Sequence, residues 1–226
     1  MKNSSAGFRL PVAKEGLPFI AIGFGVTFLL WVFGLNPPAY AAGAATLFVV
    51  FFFRDPERIP PEGPGIILSP ADGKVLEVKR IEGRDNPIGQ PAVKVSIFMT
   101  VFNVHVNRSP VTGVVERVEY HPGKFFSANL DKASSENERN ILALRTDDAL
   151  KVAVIQIAGL IARRIVCRVA EGDRVKAGRR FGMIRFGSRL EVLLPEGSSV
   201  LVERGEVTRA GMTVIGRLPS ENGDRT

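Results

Sequence analysis

Cysteine and histidine are nearly absent from this sequence. Its 226 residues include one cysteine, Cys167, and two histidines, His105 and His121. A single cysteine cannot form an intrachain disulfide, and so small a set of nitrogen and sulfur ligands argues against a zinc site. We therefore predict no bound metal. Cys167 lies in the apolar run 165–169, which favours a buried structural thiol over a nucleophile.

Acidic residues are also fewer than basic residues. The chain carries 30 lysines and arginines against 23 aspartates and glutamates, which gives a net charge of +7. A basic protein can meet nucleic acid, an acidic substrate or an anionic membrane surface. Because there is no helix-turn-helix pattern and no aromatic-plus-basic strand motif, we predict no nucleic-acid partner. The mean hydropathy of +0.12 directs attention to a membrane segment instead.

Two uncharged stretches near the N-terminus, 18–35 and 38–53, predict a helical hairpin with a turn at Asn-Pro-Pro. The first stretch reaches the roughly 17–25 residues that span a bilayer, whereas the second is a little short. Basic residues on both flanks place both ends on the cytoplasmic side of the cell membrane. A re-entrant hairpin that never crosses is one alternative. A cleaved signal peptide is the other, and the second apolar run argues against it.

The composition divides the chain into five segments. Residues 1–17 form a basic flank, 18–53 the membrane hairpin, and 54–65 a linker rich in proline, glycine and charge. From residue 66 to residue 218, short apolar runs alternate with turn dipeptides, which predicts a soluble, mainly β domain of sandwich or barrel-sandwich type in an α+β setting. Residues 219–226 form a polar tail.

The dipeptide Gly187-Ser188 lies between two apolar, strand-like runs. Because glycine has no Cβ, its backbone can adopt strained angles there. The serine hydroxyl can then attack the carbonyl carbon of the preceding residue and turn the amide into an ester. Elimination cleaves the chain, and hydrolysis of the resulting dehydroalanine leaves an N-terminal pyruvoyl group, which is an electron sink. Most Gly-Ser dipeptides are plain turns, so this one needs supporting residues.

Ser188, a histidine and an aspartate can form a proton-relay set, in which the histidine takes the hydroxyl proton. Asp72 precedes a glycine at the entrance of a predicted strand, where a turn aspartate is the plainer reading. Period-two alternation points His105 away from the face that carries Val104 and Val106. A structural role is the plainer reading for His105, and His121 faces the same alternative.

Five short motifs occur in this order along the chain. They are Ser-Pro-Ala-Asp-Gly at 69–73, Phe-Asn-Val-His-Val-Asn-Arg-Ser-Pro at 102–110, His-Pro-Gly-Lys-Phe at 121–125, Asn-Glu-Arg at 137–139 and Phe-Gly-Ser at 186–188. Together they resemble phosphatidylserine decarboxylase in its short, pyruvoyl-dependent form. The resemblance covers about residues 54–196, with the hydrophobic hairpin in the expected N-terminal place.

The resemblance implies a zymogen that cleaves itself between Gly187 and Ser188. The long β chain and the short α chain stay associated, and the α chain begins with the pyruvoyl cofactor derived from Ser188. By motif, Asp72, His105 and Ser188 take the self-processing roles. The mature enzyme is a carboxy-lyase of phospholipid biosynthesis, which decarboxylates phosphatidylserine to phosphatidylethanolamine through a Schiff base.

Two positions depart from long-form relatives. Those relatives carry Leu-Gly-Ser-Thr at the cleavage site, where this chain has Phe-Gly-Ser-Arg, and a further histidine where this chain has Phe102. The group that protonates the decarboxylated intermediate is therefore open: His105 serves twice, or His121 assists.

The segment after His121 predicts a substrate pocket, with Phe125 as an aromatic wall. Basic groups would hold the phosphodiester, and Lys124 and Arg139 are the candidates. Such a domain, tethered by a hairpin, suits an anionic lipid at the bilayer surface. The rival hypothesis is a non-catalytic, membrane-anchored adaptor domain with a barrel-sandwich fold, which predicts an intact chain and a silent Ser188.

Overall fold

The computed structural model describes residues 11–83, 86–127, 136–159, 164–185 and 188–219. The chain divides into two compact units, Met1–Glu57 and Arg58–Thr226. The predicted linker, 54–65, is shared between them.

The first unit is a pair of apolar helices. A short 3₁₀ turn, Lys14–Gly16, leads into α1 (Leu17–Val32), and α2 follows at Asn36–Phe52. Gly34 adopts a φ of +72° in the turn between the helices, a conformation that favours glycine. The helical stretch 14–32 is long and apolar enough to cross a membrane, whereas α2 is apolar but shorter.

Small residues let the two helices approach closely. A Cβ on Gly23 of α1 would lie 2.5 Å from Oγ1 of Thr46 in α2, and a Cβ on Gly43 of α2 would lie 3.5 Å from Cγ2 of Thr27. Both threonine hydroxyls donate to carbonyls of their own helices, four residues back, at 2.8 Å. The contact is therefore antiparallel and its polar groups are satisfied, as a hairpin in an apolar medium requires.

The described part of the second unit contains fourteen strands. They are β1 (Ile66–Leu68), β2 (Gly73–Ile81), β3 (Ala92–Met99), β4 (Val106–Arg108), β5 (Gly113–His121), β6 (Arg139–Arg145), β7 (Lys151–Ala158), β8 (Ile165–Cys167), β9 (Arg174–Val175), β10 (Arg180–Ile184), β11 (Ser188–Pro195), β12 (Ser199–Val200), β13 (Val207–Thr208) and β14 (Val214–Arg217).

Antiparallel pairing arranges these strands in three sheets. The largest runs β13-β2-β3-β11-β7-β6-β5-β9 and curls into a half-barrel. Two three-stranded sheets, β4-β10-β8 and β1-β14-β12, complete the unit. Strand β11 lies at the centre of the large sheet, with β3 on one side and β7 on the other. The expected mainly β domain with an N-terminal hydrophobic hairpin is confirmed.

The main core lies against the inner face of the large sheet, which we define as the face that carries Leu190 and Val192. Phe181 and Ile184 of the β4-β10-β8 sheet pack into the same core. The opposite, outer face carries a smaller apolar cluster that includes Ile155 and Ile157. Because both faces of its central strands are covered, the large sheet contains nearly continuous apolar runs instead of a clean alternation.

Candidate active site

Ser188 is the first residue of β11 and is fully buried. It lies opposite Met99 of β3 and Ala158 of β7, and its side chain belongs to the inner face because Leu190 follows two residues later. Within the part of the chain that the structure describes, its Oγ has no hydrogen-bond partner. A buried hydroxyl without a partner costs about 1–3 kcal/mol, so its position calls for a functional explanation.

His105 is fully buried immediately before β4. Its Nδ1 lies 2.9 Å from the carbonyl oxygen of Asn103. A carbonyl oxygen can only accept, so Nδ1 carries the proton and the lone pair of the neutral ring is at Nε2. The carbonyl oxygen of His105 accepts from the N–H of Ile184 at 3.4 Å, four residues before Ser188. The pairing brings a histidine in its basic tautomer to the segment that leads into β11.

Asp72 lies at the entrance of β2, at the same end of the sheet as Ser188. Arg58 binds its carboxylate with two nitrogens, with 2.9 Å between Nη2 and Oδ2, and the N–H of Ala210 donates to Oδ1 at 2.7 Å. The carboxylate is thus held by Arg58, while the ring proton of His105 goes to a backbone carbonyl. Strand β3 lies between β2 and β11, so two strand spacings, about 10 Å, separate the backbone at Asp72 from that at Ser188.

Gly73 fixes this entrance sterically. A Cβ at position 73 would lie 2.2 Å from the carbonyl oxygen of Phe98, so only glycine allows β2 to pair there with β3. The sequence Asp72-Gly73 is therefore a packing requirement as well as a turn.

A line of buried amides crosses the space between the large sheet and the β4-β10-β8 sheet. Asn140 donates to Gln156 at 3.0 Å, and Gln156 donates to Oδ1 of Asn107 at 2.8 Å. Asn107 then directs its Nδ2 towards the sulfur of Met99, at 3.9 Å, and Met99 is the lateral neighbour of Ser188. The three amides form a neutral polar layer at the Ser188 end of an apolar core.

Gly182 makes room for this layer. A Cβ at position 182 would lie 3.0 Å from Nε2 of Gln156 and 2.3 Å from the carbonyl oxygen of Val166. Cys167 lies directly opposite Gly182 in β8. Burial raises the pKa of the Cys167 thiol, which fits a structural thiol better than a nucleophile.

The residues predicted to bind substrate are divided between two places. The register puts His121, Arg139, Ile157 and Arg189 in one row, on the outer face and therefore opposite the Ser188 side chain. His121 also lies 3.6 Å from Glu119, its neighbour on that face.

Lys124 and Phe125 belong to a segment that is clamped next to Ser188. The side chain of Asn137 accepts from the N–H of Phe126 at 2.9 Å and donates to its carbonyl at 2.8 Å. The same amide donates to the carbonyl of Ala158 at 2.7 Å. Phe125 packs against the main core, and Lys124 is exposed and paired with Glu136 at 3.0 Å.

Sequence reasoning missed several residues of this site. Gln156 stands out in retrospect as the polar residue of the apolar run 152–158, and Asn107 shares its strand face with His105. No sequence pattern pointed to Arg58 or Arg189, because an arginine in a linker or a strand is normally predicted to be a surface charge. Gly187, the other half of the predicted cleavage site, lies outside the described residues, as do 1–10 of the basic flank and 220–226 of the tail.

Comparison with known proteins assigns most of the chain to one family. The family model for phosphatidylserine decarboxylase matches residues 45–216. Curated relatives named phosphatidylserine decarboxylase proenzyme include one from Syntrophus aciditrophicus, 56% identical over 207 residues, which covers 91% of this chain and 96% of the relative. Those from Cereibacter sphaeroides and Geobacter metallireducens are 48% and 46% identical, cover 97% of this chain each, and are themselves covered to 95% and 100%.

Proposed function

The chain belongs to the phosphatidylserine decarboxylase family, and we propose that it is a self-processing proenzyme that converts phosphatidylserine to phosphatidylethanolamine and CO₂. The observation that carries the proposal is the buried hydroxyl of Ser188, which has no partner among the described residues. It lies at the first position of a central strand, next to a segment paired with His105.

Self-processing begins at the peptide bond between Gly187 and Ser188. The Ser188 hydroxyl attacks the carbonyl carbon of Gly187, the C–N bond breaks, and an ester links the two residues. Loss of the α proton of Ser188 then breaks the ester C–O bond, leaving a carboxylate on Gly187 and a dehydroalanine at 188. Water replaces the nitrogen of that dehydroalanine, ammonia leaves, and a pyruvoyl group remains at the new amino end.

We assign the role of general base to Nε2 of His105. The hydrogen bond from Nδ1 to Asn103 holds the tautomer in which Nε2 can take a proton. The ring is fully buried, and in this tautomer Nε2 is the nitrogen that can take the Ser188 hydroxyl proton. Asp72 acts in processing from the same end of the sheet, where Arg58 holds its carboxylate in place.

The cleaved chains would stay together because β11 is a central strand. It pairs with β3 from Ser188 to Pro195 and with β7 from Ser188 to Leu193, and both neighbours precede the cut. The later strands β13 and β14 likewise pair with β2 and β1. Residues on both sides of the cut therefore contribute to a single hydrophobic core.

The residues around Ser188 fit a pyruvoyl group, because self-processing would consume a hydroxyl that forms no hydrogen bond with the described residues. When formed, that group supplies a ketone that condenses with the substrate amine and accepts the electrons released as CO₂ leaves. The apolar neighbours Met99 and Ala158 exclude water from this position. Phe125 and Lys124, held near Ala158 by the contacts of Asn137, would meet the substrate headgroup. His121 ends β5 and Arg139 begins β6, so both would meet the headgroup around this end of the sheet.

The remaining segments suit a lipid substrate. We assign residues 18–53 to the bilayer of the cell membrane, 54–65 to the linker, 66–218 to the catalytic domain on the cytoplasmic side, and 219–226 to the tail. An anionic phospholipid would then reach the domain from the membrane that holds the hairpin.

The decisive variant is Ser188→Ala, with Ser198→Ala as the matched control, because the Ser198 Oγ is also buried without a partner but lies in the turn after β11. A denaturing gel should show two fragments for the wild type and for Ser198→Ala, and one intact chain for Ser188→Ala. Only the cleaved proteins should release CO₂ from phosphatidylserine vesicles. An intact wild-type chain would refute self-processing and favour a non-catalytic, membrane-anchored adaptor.

A further inference from the structure

A charge cluster lies on the outer face of the sheet, directly behind Ser188, with Arg189 and Glu191 buried and Glu77 and Lys94 partly exposed. We define it as Arg189, Glu191, Glu77, Ser96 and Lys94. Arg189 is 1% exposed, and its Nη2 lies 2.9 Å from Glu77, 2.8 Å from Glu191 and 3.0 Å from the hydroxyl of Ser96. Lys94 adds a second positive charge, 2.8 Å from Glu77.

The cluster is balanced in charge, with Arg189 and Glu191 at its buried centre. Two positive and two negative groups neutralise each other, yet removing an arginine from water is costly. Well-packed apolar residues at such a site often give equal or greater stability, so a buried ionic cluster indicates a positional requirement. The side chain of Arg189 points away from Ser188, so the proposed chemistry itself leaves the cluster unused.

The proposed cut divides this cluster between the two chains. Arg189 and Glu191 follow the cut, whereas Glu77, Lys94 and Ser96 precede it. After cleavage the residue at position 188 is the first of its chain, and chain termini fray unless something holds them. Arg189 is the first side chain beyond the new end, and its bonds to Glu77 and Ser96 join the C-terminal chain to the N-terminal one.

We propose that Arg189 is a positioning residue, which anchors the new amino end of β11 across the cut and thereby fixes the orientation of the group at position 188. This inference rests on the proposed self-processing. The anchor adds little while residue 187 is still covalently attached to Ser188. Once that bond is broken, the ion pair with Glu77 replaces the covalent restraint.

The experiment compares the same substitution in cleavable and uncleavable protein. Arg189→Met removes the anchor, and Arg189→Lys should restore most of its effect because all three acceptors converge on one nitrogen. Glu77→Gln weakens the anchor from the other chain and leaves Arg189 in place, so it serves if Arg189→Met fails to fold. Each variant is made alone and with Ser188→Ala.

Glu116→Gln is the matched control. The Glu116 side chain is 30% exposed against 31% for Glu77, and it pairs with Arg145 at 2.7 Å. Both partners of that pair precede the cut. Its removal should therefore lower the thermal unfolding midpoint equally in cleavable and uncleavable protein.

We expect Glu77→Gln to lower the unfolding midpoint by roughly 5 °C more in the cleaved protein than in the Ser188→Ala background. The kcat of the cleaved enzyme should fall about 10-fold for Glu77→Gln and about 100-fold for Arg189→Met, because a displaced reacting group loses alignment. KM should stay within about twofold, since the lipid contacts are unchanged.

Equal midpoint shifts in the two backgrounds, with kcat unchanged, would overturn the anchor and leave self-processing intact. A wild-type chain that is not cleaved would refute both, and the same gel would show it.

Discussion

Two consecutive residues, Ser188 and Arg189, face opposite sides of one strand and have opposite surroundings. On the inner face Ser188 has neutral neighbours, a line of amides, and a hydroxyl without a partner among the described residues. On the outer face the guanidinium of Arg189 is enclosed by carboxylates. The reacting hydroxyl is on the face with neutral neighbours, and the restraint is on the face where Arg189 forms ion pairs. A reactive serine needs both, because its backbone must be fixed while its hydroxyl remains available.

The largest change should follow from removing the proposed general base, His105. His105→Gln keeps a side chain that can donate to Asn103 but cannot take the proton, so self-cleavage should slow by about 10²- to 10⁴-fold. The appearance of the C-terminal fragment on a timed gel measures the rate. Processing at the wild-type rate would remove His105 from the mechanism.

A substitution in the line of amides on the inner face should lower the unfolding free energy more than a matched substitution on the outer face. Gln156→Met keeps the volume but leaves Asn107 and Asn140 unpaired, so the precursor should lose about 1–3 kcal/mol of unfolding free energy. Ile157→Met, the next residue of β7 and equally buried on the outer face, should cost under about 1.5 kcal/mol. Urea unfolding of both in the Ser188→Ala background tests this difference, and a smaller loss for Gln156→Met would contradict it.

The outer face should respond to acid. Burial raises the pKa of Glu77, but the hydrogen bond and charge of Lys94 and the charge of Arg189 lower it further, so that it lies below the ordinary value of 4.5. A lowered carboxyl pKa stabilises the fold above the unfolded-state pKa, and this contribution is lost as the pH falls through the folded-state pKa. The difference in unfolding midpoint between wild type and Glu77→Gln should therefore have its full size at pH 6 and above, which is about 1.5 pH units over the ordinary value of 4.5. It should shrink below the ordinary value, and a difference that grows in acid would reverse the assigned sign.

The smallest effect concerns the exposed pair of Lys124 and Glu136. Lys124→Ala should change the unfolding free energy by less than about 1 kcal/mol, because exposed ion pairs contribute little. If Lys124 holds the lipid phosphodiester, Lys124→Ala should raise KM for phosphatidylserine several-fold, which corresponds to about 1 kcal/mol of lost binding free energy. The kcat should not change. Glu136→Ala, its matched control, should leave KM unchanged; equal KM values for both variants and the wild type would exclude Lys124 from the headgroup site.

The sequence predicted the fold class because alternating apolar runs and turn dipeptides are local signals. The order of the motifs that identify the family can also be read from the sequence alone. The sequence did not predict which face of the sheet each residue would occupy. His121 and Arg139 are near Ser188 in the motif order, yet pairing puts them in the Arg189 row, because register depends on partners far along the chain. The pairing of Asp72 with Arg58 likewise depends on tertiary folding of a segment that reads as linker.

The most direct test of the central claim is the intact mass of the C-terminal fragment from freshly purified protein. If Ser188 is the residue that reacts, this fragment begins at position 188 and is lighter than a serine-started peptide by the elements of ammonia. A fragment with the full mass of a serine-started peptide would mean ordinary proteolysis, and a single chain with the mass of the whole sequence would mean no cleavage. Either of these two results would contradict the account.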